Sequence, residues 1–229
     1  MLAIPLDLIN EIINKYDILG LNDKIRLIST CRTFYQYIFI EHLQSSNIKN
    51  DILNNTKFKN LIFLDLSDNR HVTNISHLRL LKDLRITGSQ CFLTNINILT
   101  GIINLDISSK PWIINIYNLI NLVKLDIRFT KIPQNEIMNL TNLKSLYISN
   151  NRHINNINHL INLTYLSICY NQYINCLSHL TKLTCLNMIG ATKITTIENL
   201  YSLTNLEIDN TRIILSPLTN LQYLNNIKL

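Results

Sequence analysis

Apolar residues recur at a fixed spacing from residue 61 to the end of the chain. Each unit carries apolar residues at offsets 0, 3 and 5 of an LxxLxI pattern, and a second apolar set follows near offsets 11, 14 and 17. Nine units start 20 or 21 residues apart, with a last interval of 18, at Leu61, Leu81, Ile102, Leu122, Leu143, Leu163, Leu183, Leu203 and Leu221. Because offsets 3 and 5 alternate as in a strand, each unit predicts one short strand with two core residues. Such a period is typical of a solenoid whose strands stack in parallel.

Two segments of the chain are nearly identical. Residues 67–78 read SDNRHVTNISHL and residues 149–160 read SNNRHINNINHL, with eight of twelve positions shared. One interpretation is a duplicated catalytic or metal site, built on His71, His77, His153 and His159. The other is two copies of the repeat. The spacing favours the repeat, because the two units lie four stacking steps apart, about 19 Å, which is too far for ligands of one metal ion.

The sequence gives little support for an enzyme, and we expect no catalytic residue, metal or cofactor. The chain has only four glycines and no GxGxxG, GxxxxGK[ST], HExxH or GxSxG motif. Its five cysteines include no CxxC pair, and Asp7 and Glu11 interrupt the first apolar stretch. We therefore expect reduced thiols in an intracellular, cytoplasmic protein without a secretory signal.

Neither a membrane nor a nucleic acid is an expected partner. Residues 153–181 lack Asp, Glu, Lys and Arg, but Asn, Gln, Ser, Thr and His recur too often there for a bilayer span. The net charge of +6 comes with no Lys/Arg run longer than two residues. This is a weak footprint for nucleic-acid binding.

The unit LxxLxLxxN resembles the leucine-rich repeat. The resemblance implies an α/β solenoid of parallel short strands, with about eight to nine turns over residues 61–229. Asparagine stands at offset 8 in Asn69, Asn151 and Asn171, where a buried amide can bond the bending backbone. Ser89, Thr130 and Thr211 can do part of this, whereas we expect Lys110 and Ala191 not to, which predicts looser packing in their turns.

Outward strand offsets 2, 4, 6 and 7 predict the concave face of the solenoid, where leucine-rich repeats generally bind partners. Aromatic and basic residues concentrate there in the fourth to sixth units. This composition is expected of a binding hot spot for an unknown protein target. An alternative is that tyrosines simply suit strands. The predicted contact residues are Lys124, Arg128, Phe129, Tyr147, Tyr165 and Tyr170.

Residues 1–42 do not follow the period and predict a small helical module. Pro5 suits a first helical position, and apolar residues follow at helical spacing. The segment resembles the F-box in the order and spacing of its elements, which are Ile4-Pro5, Leu8, Ile12, Ile13, Tyr16, Asp23-Lys24 and Thr30-Cys31-Arg32-Thr33-Phe34. It departs from that family's pattern at Ile4, Thr30 and Phe34. A helical cap for the repeats is the alternative.

The F-box resemblance implies a substrate adaptor of an SCF-type ubiquitin ligase. The helices would dock on a Skp-type adaptor that binds a cullin, while the repeats hold the target. The implied docking residues are Pro5, Leu8, Ile12, Ile13, Cys31 and Phe34. The Asn/Ile-rich composition is similar to such proteins of giant DNA viruses, which implies a eukaryotic host cell. Residues 43–60 are polar and are expected to join the modules. The alternative function is a stand-alone repeat protein that sequesters its partner.

Overall fold

The described chain forms one sheet of eleven short strands that lie side by side in chain order. The computed structural model describes residues 41–88, 91–93, 95–209, 213–215 and 218–229. The strands are β1 (His42–Gln44), β2 (Phe63–Asp65), β3 (Asp83–Arg85), β4 (Asn104–Asp106), β5 (Lys124–Asp126), β6 (Ser145–Tyr147), β7 (Tyr165–Ser167), β8 (Cys185–Asn187), β9 (Asn205–Glu207), β10 (Tyr223–Leu224) and β11 (Ile227–Lys228). Each strand from β1 to β9 pairs with the next in parallel, and β10 pairs with β11 in antiparallel orientation. The parallel-strand solenoid predicted from the period is confirmed.

The repeat period fixes the strand register. Leu64 pairs with Leu84, Leu125 with Leu146, and so on along the sheet, so that offset 3 always faces offset 3. These leucines, the residues at offsets 0 and 5, and the second apolar set are buried in one continuous core. One unit cannot enclose its own apolar residues, so each turn depends on its neighbours for burial.

Helix is scarce in the described residues, which corrects the α/β expectation for this part of the chain. It is confined to α1 (Asn50–Leu53) and two 3₁₀ turns, Thr56–Phe58 and Gln134–Ile137. The return segments are instead chains of i→i+3 turns. For example, Leu160 N–H donates to Ile157 O and Leu163 N–H donates to Leu160 O. The apolar residues at offsets 14, 17 and 20 lie three apart, a spacing that matches these turns better than an α-helix.

A left-handed residue follows the strand, three positions after its last residue. Offset 7 has a positive φ in seven successive turns, at Asp68, Gly88, Ser109, Phe129, Asn150, Tyr170 and Gly190. This conformation bends the chain out of the sheet, and the buried residue at offset 8 follows. Asn151 Oδ1 accepts hydrogen bonds from the N–H groups of His153 and Ile154, at 2.9 and 3.2 Å. Asn69 and Asn171 do the same in their turns, as the repeat pattern predicted.

Lys110 differs from its sequence expectation. It is fully buried at offset 8, and its Nζ donates a hydrogen bond to the Gly88 carbonyl of the preceding turn. The long side chain reaches across the turn and donates to a backbone carbonyl of the preceding turn, as the Asn171 amide N–H does with Asn151 O. The prediction that Lys110 could take no part in this role was wrong for the donated bond, but an ammonium cannot accept the N–H bonds that Asn151 Oδ1 accepts.

Residues 43–60, expected as a polar joint, pack against the solenoid. β1 pairs in parallel with β2, so Leu43 lies opposite Leu64. Ile48, Leu53 and Phe58 are buried in the core. The opposite end also differs from a plain repeat, because β10 and β11 form a hairpin whose loop residues Asn225 and Asn226 both have positive φ. Positive φ at both loop residues is the signature of a tight β-hairpin turn.

Candidate protein-binding face

One side of the sheet faces away from the core and carries the predicted contact residues. We call it the sheet face, and it consists of the side chains at offsets 2, 4 and 6. Because successive strands pair without a register shift, equal offsets form columns that cross the strands. The offset 2 column therefore brings Lys124, Ser145 and Tyr165 together, and the offset 4 column places Tyr147 beside Asp126.

Tyr147 is the centre of an aromatic and cationic cluster. Its ring centroid lies 4.7 Å from that of Tyr165, with the planes tilted by 33°. The Lys124 ammonium lies 5.6 Å from the Tyr147 centroid and the Arg128 guanidinium 5.7 Å. Both distances suit a cation–π contact. Four of the six predicted contact residues are thus brought together.

Asp126 fixes the position of Arg128. Arg128 Nε lies 2.9 and 3.0 Å from the two carboxylate oxygens, and Nη2 lies 2.6 Å from Oδ2. This hydrogen bonding raises the pKa of Arg128 above its ordinary value, so the side chain is a permanent cation. A two-pronged contact of this kind orients the guanidinium plane.

Tyr165 is a neutral hydrogen-bonding group over the whole physiological range. Burial, together with the neighbouring Tyr147 and the charge of Glu207, raises the pKa of Tyr165 to about 12. The phenol therefore keeps its proton and presents a ring face and a hydroxyl to a partner.

A concavity of about 310 Å³ lies beside the cluster. It is bordered on one side by Tyr147, and it carries charges of both signs, contributed by Asp83, Arg85, Asp106, Lys124, Asp126 and Arg128. Sequence reasoning placed these side chains on the outward offsets but did not single out Arg85, Asp106 and Asp126. Their signal was present, because offset 4 carries a charged residue in each of these three successive turns.

Phe129 and Tyr170 lie apart from the ring contacts of the cluster. Both occupy offset 7, with φ of 57° and 56°, and their side chains are 56% and 59% exposed. The Tyr170 ring lies over Gly190, where a Cβ would collide with it. The structure therefore places these two predicted contact residues three positions beyond the ends of β5 and β7, beside the sheet face.

The six residues predicted to dock Skp lie outside the described residues. These are Pro5, Leu8, Ile12, Ile13, Cys31 and Phe34. Their role stays a prediction of the sequence.

Two of the repeat histidines, His77 and His159, contact the backbone of the preceding turn. His77 Nε2 lies 3.3 Å from Leu53 O, and His159 Nε2 lies 3.1 Å from Ile137 O, each on the preceding turn. Within the described ranges no group of His, Cys, Asp or Glu side chains could hold a metal ion. None of the helices in those ranges has the length and apolar character needed to cross a bilayer.

Two solved structures have a similar backbone. An internalin (InlF) from Listeria monocytogenes matches over 84% of this chain and 61% of its own length, with a TM-score of 0.63 and 23% identity. The leucine-rich-repeat ectodomain of the plant receptor kinase GASSHO1/SCHENGEN3 from Arabidopsis thaliana matches over 81% of this chain, with a TM-score of 0.57 and 20% identity. The chain has the leucine-rich-repeat fold. It spans about six tenths of the internalin chain and 26% of the plant chain. No family model and no curated protein matches the sequence.

Proposed function

We propose that the chain is a protein-interaction adaptor whose repeats bind a target protein on the sheet face. The observation that carries this proposal is the cluster of Tyr147 and Tyr165 with Lys124 and Arg128. Tyrosine and arginine are the residue types that dominate binding energy at protein interfaces. The solved complex of the plant receptor ectodomain with CASPARIAN STRIP INTEGRITY FACTOR 2 supports a partner-binding role for the fold.

The cluster is organised before a partner arrives. Arg128 is held by Asp126, and the Tyr147 ring packs against Tyr165. Ordering a free side chain on binding costs about 0.5–1.5 kcal/mol, and a side chain already fixed avoids most of that cost. The face therefore supplies rigid aromatic and cationic contacts to a partner.

The backbone at Phe129 and Tyr170 supports their inclusion in the site. Bulky residues rarely adopt positive φ, and the other positions of this column hold Gly, Asp, Asn or Ser. Residues in such sparsely populated conformations cost about 1–3 kcal/mol and cluster at functional sites. Two exposed aromatic rings at strained positions beside the sheet face are therefore best explained by contact with a partner.

Photo-crosslinking tests whether the target lies on the sheet face. A benzoylphenylalanine replaces Tyr147 in one variant and Tyr201, which is exposed at 56% on the return side of its turn, in a matched control. We expect a specific adduct from position 147 and none from position 201. Equal adducts from both positions would place the target elsewhere.

The N-terminal segment supports a finer proposal, in which the protein is the substrate-recognition subunit of an SCF-type ubiquitin ligase. The support is the F-box resemblance over residues 2–42, with Leu8 and Ile12 in the docking face. The protein would then work in the cytoplasm of a eukaryotic cell and contribute no catalytic residue. The composition further supports a giant-virus protein acting in its host.

Co-purification with Skp tests the finer proposal. Replacing Leu8 and Ile12 by Asp places charge in an apolar docking surface, where an unpaired charge is costly. The double variant should lose Skp, whereas the matched variant with Asn10 and Asn14 replaced by Asp should keep it. If the parent does not recover Skp but still captures its target, the protein is a stand-alone repeat protein that sequesters a partner.

A further inference from the structure

A second concavity lies on the sheet face, on the far side of the tyrosine pair. It measures about 120 Å³ and spans the last four parallel strands. We call it the Glu207 notch, and its lining includes Tyr165, Cys185, Asn187, Asn205, Glu207, Tyr223 and Asn226.

The walls of the Glu207 notch are aromatic. Tyr165 and Tyr223 stand at offset 2 of β7 and β10, with Cys185 and Asn205 between them in the same column. Three strand spacings separate the two tyrosines, about 14 Å between backbones. A group seated on the smaller side chains between them is therefore flanked by the two tyrosines. Tyr147 packs against the opposite side of Tyr165.

The charge of the notch is negative. Glu207 is the charged residue among the described side chains that line it. Asn187 Nδ2 donates a hydrogen bond to Glu207 Oε2 and so holds the carboxylate in place. Within the described part of the chain, Glu207 forms no ion pair. Lys228 lies opposite Tyr223 in the terminal hairpin but does not line the notch.

We propose that the Glu207 notch binds a cationic side chain, arginine or lysine, of the target protein. The aromatic faces attract a cation within about 6 Å of a ring centroid. The fixed carboxylate accepts a charge-assisted hydrogen bond, which is stronger than a neutral one. Arginine fits best, because its planar guanidinium stacks on tyrosine while its N–H groups reach a carboxylate. The inference rests on the proposed function. It specifies that the target presents an arginine or lysine side chain to the notch.

A displayed library of random dodecapeptides, selected on the full chain, supplies the probe. We expect the selected peptides to share an arginine or lysine. A synthetic peptide is then compared with its citrulline (or, for lysine, norleucine) analogue, on the parent and on Glu207→Gln. Each single change should weaken binding about tenfold, and the two together little more than either alone, because both remove the same contact. Glu198→Gln, an exposed carboxylate outside the notch, is the matched control.

The outcomes separate the notch from the sheet face as a whole. Two results would contradict cation binding at the notch while supporting a target site on the sheet face. The selected peptides could depend on Tyr147 but share no cationic residue, or the losses from the peptide change and from Glu207→Gln could be additive. A failure to select any peptide whose binding depends on Tyr147 overturns both.

Discussion

At the scale of single residues, the left-handed position at offset 7 is set by its surroundings and not by its side chain. Phe129, Asn150 and Tyr170 adopt nearly the same φ as each other, between 56° and 57°. At Phe129 the backbone N–H donates to Ser149 O of the next turn, and at Tyr170 it donates to Ile189 O. The backbone hydrogen bonds between turns therefore impose the left-handed conformation. At residues other than Gly and Asn this conformation is destabilising.

Relieving that cost at Phe129 should stabilise the protein. Asparagine tolerates the left-handed region, so Phe129→Asn should raise the free energy of unfolding by about 1 kcal/mol relative to Phe129→Ala. Both variants lose the same exposed ring, which isolates the backbone effect. Urea denaturation measures the difference. Identical midpoints would show that the backbone at this position is not strained.

Lys110 predicts a pH dependence. Burial lowers its pKa in the folded protein from the ordinary 10.5, with smaller opposing effects from Cys91 and Asp68. In the pH window just below 10.5 the unfolded chain therefore binds more protons, so the free energy of unfolding should rise with pH. Lys110→Met lacks this titrating group. The free energy of unfolding of the parent should therefore increase relative to that of Lys110→Met as the pH rises through this window. Parallel pH curves for the two proteins would contradict the prediction.

At the scale of the element, the turn is the unit of both folding and prediction. Strand positions and pairing follow from the apolar offsets, because a shift of one residue would turn leucines such as Leu146 out of the core. The same offsets did not predict that residues 43–60 pack against the solenoid, and the reason is physical. Ser45 occupies the place that Leu66 fills in the next turn, so the apolar signature is incomplete. The i→i+3 turns of the return segments were also not predicted, because an apolar period of three was not distinguished from that of an α-helix.

Core substitutions should have a cost that depends on position along the solenoid. Leu146 and Leu166 are fully buried between neighbouring turns, so replacing either by Ala should cost roughly 2–5 kcal/mol. Leu221 is only partly buried in the last turn, and its replacement should cost much less. Chemical denaturation of the three variants compares the losses. Equal losses at all three sites would argue against a linear array of interdependent turns.

At the scale of the whole molecule, the Tyr147–Tyr165 pair lies between two concavities of the sheet face, one bordered by Tyr147 and the other by Tyr165. The sequence placed four members of the central cluster on the outward offsets 2, 4 and 6, and in-register pairing brings these offsets of neighbouring strands side by side. The sequence could not predict the contact of Arg128 with Asp126, since the rotamers of both side chains are determined only in the folded structure. The tyrosine pair thus stands where contacts from both concavities meet, which makes it the centre of the proposed interface.

The most direct test of the central claim compares two pairs of exposed or half-buried tyrosines. Tyr147 and Tyr165 are replaced by Ala in one bait, and Tyr117 and Tyr201, which lie outside the sheet face, in the other. Quantitative mass spectrometry of the captured proteins should show the target reduced about tenfold or more with the first bait. The second bait should match the parent, and all three should share nearly the same melting temperature and Skp recovery. Equal target recovery from both double variants would contradict a binding site on the sheet face.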